Sequence, residues 1–241
     1  MARILIVLPQ TDYDPSEVAL PWAVWTRAGH EVLFATETGA AASCDPVTLT
    51  GTGLPLLARS LRARAEARGH YAAMIETPGY RQPLRWGDVR AGDFAALHFP
   101  GGHAPGMKPY CESGEVQRLA REAFAAGQPV SAICHGVLPL ARAGVLAGKR
   151  TTALTGSQEA IAIALPGRAL PGHYRTYPES VEAEVTRLIG SQGQFERGPL
   201  LPRYAGEAAP EAGFVVRDGN YLSARWPGDG WTLALRLMDL L

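Results

Sequence analysis

Five consecutive aliphatic residues, Ile4-Leu5-Ile6-Val7-Leu8, follow Arg3 and stop at Pro9. An unbroken apolar run of that length suits a strand buried on both faces, as in a parallel sheet covered on each side. It is too short to span a membrane, for which about 18 apolar residues are needed. No small-residue cleavage site follows it, so it does not read as a signal peptide. What comes next alternates. Ser16 to Arg27 has Val18, Trp22 and Trp25 at helical spacing and is closed by Ala28-Gly29. Strands are expected at Glu31 to Ala35, Ala95 to Phe99, Pro129 to Ile133 and Thr151 to Leu154. Helices are expected at Leu54 to Arg68, Glu112 to Ala126, His135 to Ala143 and Glu179 to Ile189. Two strands, Phe214 to Arg217 and Tyr221 to Ala224, flank the turn Asp218-Gly219-Asn220, and Trp231 to Leu241 closes the chain as a helix. Such alternation predicts an α/β three-layer sandwich, its central sheet mostly parallel with helices on both faces. No polar linker divides the chain, so residues 1–241 read as one domain. Insertions are expected at about 36–92 and 165–212, with 36–53 a loop and 76–92 a surface segment.

The 241 residues carry 23 Lys plus Arg against 23 Asp plus Glu. That balance argues against a nucleic-acid partner, whose footprint is a basic surplus. With 46% of residues apolar, a core forms without covalent staples. Three cysteines, at 44, 111 and 134, are too few and too uneven for a disulfide framework. The expectation is a cytoplasmic protein without a membrane partner, in which one thiol has a chemical role.

Ligands of open α/β sheets bind beyond the carboxyl ends of the strands. Two loops leave such ends. One is Phe99-Pro100-Gly101-Gly102-His103, whose glycines let the backbone turn an amide toward a ligand. The other is Ala132-Ile133-Cys134-His135-Gly136, where small neighbours permit the sharp strand-to-helix turn that lifts a nucleophile above a sheet. Most free cysteines are small buried hydrophobes, and Cys44 and Cys111 are read so. Cys134 differs by position, since a helix N-terminus stabilises a thiolate and lowers the thiol's pKa. An amide near Gly102 and that of His135 would form an oxyanion hole.

Taken in order, these pieces resemble the ThiJ/PfpI superfamily, whose fold is flavodoxin-like and close to that of the class I glutamine amidotransferases. Glu17-Val18-Ala19-Leu20-Pro21 with Arg27 to Val32 resembles the first helix and second strand of that family. Pro100 to His103 resembles its glycine loop, and Ala132 to Gly136 its nucleophile elbow. Gly148-Lys149 through Thr155, with Glu159, resembles the segment that supplies a further acid. The branch most similar contains glutathione-independent glyoxalase III and related stress chaperones. The resemblance implies Cys134 as nucleophile, His135 as proton shuttle, Glu159 as the group that orients it, and Glu17 as a protonated carboxyl beside the sulfur. It implies oxyanion amides at Gly102 and His135, and a small carbonyl substrate such as methylglyoxal. Substrate contacts are expected from Gly101, His103, Tyr174 and Arg175. A homodimer is expected by the same resemblance. A non-catalytic redox-sensing chaperone and a cysteine amidase or peptidase are the alternatives. Glutamine amidotransfer is disfavoured, because no His-x-Glu pair stands downstream of Cys134.

Ala104 and Pro105 stiffen the glycine loop, and Lys108 stands where relatives commonly have an acid. No Cys-x-x-Cys or His-x-x-x-His spacing appears, so no metal is expected. No Gly-x-Gly-x-x-Gly follows the first strand, so no dinucleotide cofactor is expected either.

Overall fold

The computed structural model of the chain describes residues 1–54 and 56–241. In chain order its strands are β1 (Arg3–Val7), β2 (Thr11–Tyr13), β3 (Glu31–Thr36), β4 (Ser43–Cys44), β5 (Leu84–Arg85), β6 (Ala96–Phe99), β7 (Val130–Ile133), β8 (Arg150–Thr151), β9 (Gln194–Phe195), β10 (Val215–Asp218) and β11 (Tyr221–Ala224). Its α-helices are α1 (Pro15–Arg27), α2 (Pro46–Thr50), α3 (Ala65–Met74), α4 (Pro78–Arg81), α5 (Lys108–Glu112), α6 (Gly114–Ala125), α7 (Val137–Arg142), α8 (Gly156–Ala164), α9 (Val181–Ile189) and α10 (Gly230–Met238).

Seven strands make the central sheet, in the order β10-β11-β7-β6-β1-β3-β5. All neighbours in it are parallel except the β10–β11 hairpin. The aliphatic run of β1 sits mid-sheet between β3 and β6, with Ile4, Leu5, Ile6 and Val7 fully buried. Helices α1, α3 and α10 pack together as one layer, and α6, α7 and α9 as another. This is the sandwich expected from the alternation. Trp25 ties one layer together by donating its indole N–H to the Ala234 carbonyl of α10 at 3.0 Å.

Four local expectations change. Residues 36–53 hold β4 and α2, because Asp45 caps the helix through Val47 N–H and Pro46 occupies its first turn. The helix expected over Leu54 to Arg68 instead begins as a 3-10 turn, Leu56–Leu61, and the α-helix proper is Ala65–Met74. Pro55, within that expected span, lies outside the described residues. The segment 76–92 is no mere surface insertion: β5 extends the sheet edge, and Tyr80 and Trp86 are buried. The Trp86 indole donates to the Ala35 carbonyl at 2.9 Å, which anchors the segment on β3. Finally, β8 is two residues long and pairs with β9 rather than with the central sheet. No helix among the described residues is long and apolar enough to cross a membrane.

Candidate active site

The chain runs outward in opposite directions from β1, toward β3 and β5 on one side and toward β6, β7 and β11 on the other. The carboxyl ends of β1, β6 and β7 therefore meet at the point where the strand order reverses, where such sheets form a crevice. Cys134 follows β7 directly, with φ +58°. A non-glycine residue held in that left-handed region costs about 1–3 kcal/mol. The strain is maintained by close packing of the glycine loop. A Cβ at Gly101 would lie 2.7 Å from His135 N, 2.8 Å from the Ile133 carbonyl oxygen and 2.9 Å from Cys134 Cβ. A Cβ at Gly136 would collide with the carbonyl oxygens of Phe99 and Pro100. Glycine at both positions lets the two loops touch backbone to backbone.

Glu17 reaches this point from the first turn of α1. Asp14 caps that helix by accepting from Ser16 N–H at 2.7 Å and Glu17 N–H at 3.4 Å, and Pro15 pre-sets its first turn. One Glu17 carboxyl oxygen accepts the Gly101 N–H at 2.8 Å, while Oε1 is buried without a partner. Burial, and then the charge of Asp14, push the Glu17 carboxyl well above the ordinary range; Gly101 and Cys134 oppose this by hydrogen bonding. Burial likewise raises Asp14 to about 6. That direction favours the protonated form of Glu17. His98 buttresses it from below. Burial lowers His98 to about 4, so its ring is neutral. Nε2 lies 3.0 Å from the Glu17 carbonyl oxygen and must donate there, leaving Nδ1 to accept from Ser131 Oγ at 2.9 Å.

The thiol departs from expectation. Burial, and then the Glu17 carboxylate charge, push Cys134 well above its ordinary value, against the lowering effect of the His135 backbone N–H. The turn after β7 is a 3-10 segment, Cys134–Gly136, and α7 has six residues, so little helix stands behind the sulfur to offset its burial. With Glu17 protonated, the second of those raising causes disappears.

His135 places Nδ1 3.5 Å from Cys134 Sγ. Its ring is fully buried, and desolvation lowers its pKa well below the usual value. Glu159 lies in the first turn of α8, where Thr155 and Gln158 form a capping box. The direct His135–Glu159 pairing expected from the resemblance is absent. Glu159 Oε2 accepts the Val181 N–H at 2.9 Å, and His135 Nε2 has no partner. His103 lies against both, its ring edge-on to His135 at 4.8 Å and its Nε2 3.8 Å from Glu159 Oε1. Short-range spacing conceals this trio, because each member comes from a different segment of the chain.

A cavity of about 310 Å³ opens above Cys134. Glu17, Gly102, His103 and Tyr174 line it. So do Leu61, Ala63, Leu154, Ile161, Ala162, Leu165, Pro202, Tyr204, Trp226 and Pro227, none of which sequence reasoning singled out. Their signal was weak, since an apolar wall residue reads as core. Asp12, Asp14 and Asp45 add acidity, and Arg62 is the lining cation among the described residues. The Tyr174 hydroxyl donates to Asp45 at 3.1 Å. Gly101 spends its amide on Glu17 rather than on a ligand. Arg175 is exposed and does not line the cavity. On an irregular loop, adjacent residues 174 and 175 diverge, and the guanidinium stays in water while its charge favours ionised Glu159 from a distance.

The chain is similar to known proteins along most of its length. A family model described as ThiJ/PfpI family-like matches residues 8–199. Deglycase PfpI of Pyrococcus furiosus is 38% identical over 155 residues, covering 64% of this chain and 74% of that protein. An uncharacterized protein of Schizosaccharomyces pombe is 29% identical over 119 residues, and the match spans 43% of its length. Among solved structures, glyoxalase III from Candida albicans superposes with a TM-score of 0.68 at 17% identity, covering 100% of this chain and 97% of that one. DJ-1beta of Drosophila melanogaster gives 0.58 at 20% identity, covering 99% and 89%. At these identities the solved structures establish likeness of fold.

Proposed function

The chain belongs to the ThiJ/PfpI family, and on that premise we propose that it is a cysteine-nucleophile enzyme acting on a carbonyl compound, in the manner of glyoxalase III or a related hydrolase. The observation that carries this reading is the strained Cys134, buried at the cavity floor between the acid Glu17 and the neutral imidazole of His135. The names deglycase and glyoxalase III, borne by a relative and by a structural neighbour, support it.

For a 2-oxoaldehyde the chemistry balances as follows. The Cys134 thiol gives its proton to the neutral His135, whose Nδ1 is 3.5 Å from the sulfur, and the sulfur adds to the aldehyde carbon. The carbonyl pair becomes an oxyanion, which faces the amides of Gly102 and His135. Glu17 protonates the oxyanion, which gives a hemithioacetal and leaves Glu17 as a carboxylate. That carboxylate removes the hydrogen from the sulfur-bearing carbon, the hydroxyl proton shifts to the neighbouring oxygen, and His135 returns its proton to the neighbouring carbon, so the former ketone becomes an alcohol and the sulfur-bearing carbon a thioester. Water then cleaves the thioester, releasing a 2-hydroxy acid and restoring the thiol. No external oxidant is needed, because one carbon is oxidised as its neighbour is reduced.

The cavity is larger than a three-carbon dicarbonyl requires, and Ile161, 57% exposed, stands among its apolar lining residues. The cavity has room for an apolar extension on the substrate. The test is a panel of 2-oxoaldehydes, esters and glutamine, with hydroxy acid, alcohol and ammonia as readouts. Hydroxy acid from the aldehydes supports the reading. Alcohol from esters alone would make the protein a hydrolase, and ammonia from glutamine would overturn the reading.

A further inference from the structure

We propose that His103, His135 and Glu159 form a binding site for a divalent transition-metal cation of the zinc type. One donor atom from each of the three lies within 4.8 Å of the others. The residues come from three separate, well-anchored segments: the glycine loop, the nucleophile elbow and the first turn of α8. Glu159 is held by its other oxygen on Val181 N–H, which leaves Oε1 turned toward His103 Nε2 at 3.8 Å.

The second observation is a shortage of partners. Both ring nitrogens of His103 and Nε2 of His135 are buried without a hydrogen bond. Buried nitrogens without a partner are costly, and a cation beside the Glu159 carboxylate would take one nitrogen from each ring. Burial keeps both imidazoles neutral, as metal ligation requires. Zinc bonds of about 2.0–2.1 Å to nitrogen and oxygen set tetrahedral ligand separations near 3.4 Å. The His103–Glu159 gap is close to that, and the widest separation has to close by about 1.4 Å. Two imidazoles and one carboxylate leave an open position. His103 lines the cavity, so a water or a substrate oxygen has access to that position. Cys134 is not a ligand: its sulfur meets His135 through Nδ1, on the ring atom away from the free Nε2.

This inference shares His135 with the catalytic reading but does not require turnover. The full chain, stripped with a chelator and desalted, is titrated with zinc alone and separately with cobalt(II) alone. Bound metal is counted by mass spectrometry and cobalt followed by its visible spectrum. One cation per chain is expected for the native protein and for Cys134→Ser, with no thiolate-to-cobalt band. Affinity is expected to fall at least tenfold in His103→Phe and in Glu159→Gln, with folding verified by circular dichroism. If His103→Phe does not fold, Glu159→Gln decides. Absence of saturable uptake by the native protein, or unchanged affinity in the folded variants, would overturn the site. Metal uptake without hydroxy-acid formation would sink only the catalytic reading, and turnover without uptake only the metal site.

Discussion

Removing the acid beside the sulfur gives the sharpest perturbation. If Glu17 is protonated, as its burial dictates, it donates a hydrogen bond to the Cys134 thiolate when that forms. A hydrogen bond to a charged group is worth about 1.5–3 kcal/mol. At 1.36 kcal/mol per pKa unit, Glu17→Leu raises the pKa of the thiol by about 1–2 and so disfavours its ionisation. The fraction of thiolate near pH 7, and with it alkylation by iodoacetamide, falls about ten- to a hundredfold. Glu17→Gln is the paired control. Its amide oxygen still accepts the Gly101 N–H that Glu17 accepts at 2.8 Å, and its NH₂ still donates to sulfur. Alkylation of the Gln variant therefore stays within a few-fold of native, while aldehyde turnover, which needs a transferable proton, is lost. The assay is the pH profile of Cys134 alkylation in chelator-treated protein, read by peptide mass spectrometry so that Cys44 and Cys111 are scored separately. Both of those thiols are pushed up to about 12 by burial and serve as internal controls. Faster alkylation of Glu17→Leu than of native protein would refute the reasoning, because it would mean that Glu17 is ionised and opposes the thiolate.

Gly101→Ala drives a methyl group into His135 N and the Ile133 carbonyl; overpacking of this kind costs about 1–3 kcal/mol, seen as a lower urea midpoint together with loss of Cys134 reactivity. His98 is lowered from 6.5 to about 4 by burial. Between those values the unfolded chain holds the proton and the folded one does not, so its contribution is complete above pH 6.5 and is lost as pH falls toward 4. From pH 7 to 5 that loss is about 2 kcal/mol, and His98→Gln should flatten the unfolding free energy against pH by that amount. An alkyl series of 2-oxoaldehydes should gain about fourfold in kcat/KM per methylene until the cavity fills, at about 0.8 kcal/mol for each buried CH₂; a flat series would refute the apolar wall's role.

The parallel sheet was readable because β1 carries the continuous aliphatic run Ile4 to Val7, and such a run leaves few alternatives. The elbow and the glycine loop were readable because close backbone contact demands glycine at 101 and 136, a local requirement that composition displays. The partnership of His103 with His135 and Glu159 was not readable. It spans a loop, a 3-10 turn and the start of a helix, and nothing in the spacing of residues 103, 135 and 159 reports their approach. The roles of His98, Tyr204 and Trp226 were hidden for a different reason: a strand histidine and aromatic wall residues carry the same local signature as ordinary core. Arg175 was misplaced because the divergence of consecutive loop side chains has no period to read. The raised thiol of Cys134 reflects burial by the whole fold, which the helix-terminus argument does not include.

The central claim is that Cys134 performs the chemistry, and it is tested most directly by lactate formation from methylglyoxal in native protein and in Cys134→Ala, with metal removed from both. The account predicts steady production by the native enzyme and none above the uncatalysed rate in the variant, whose fold is checked by thermal unfolding. Equal turnover by a folded Cys134→Ala would contradict it.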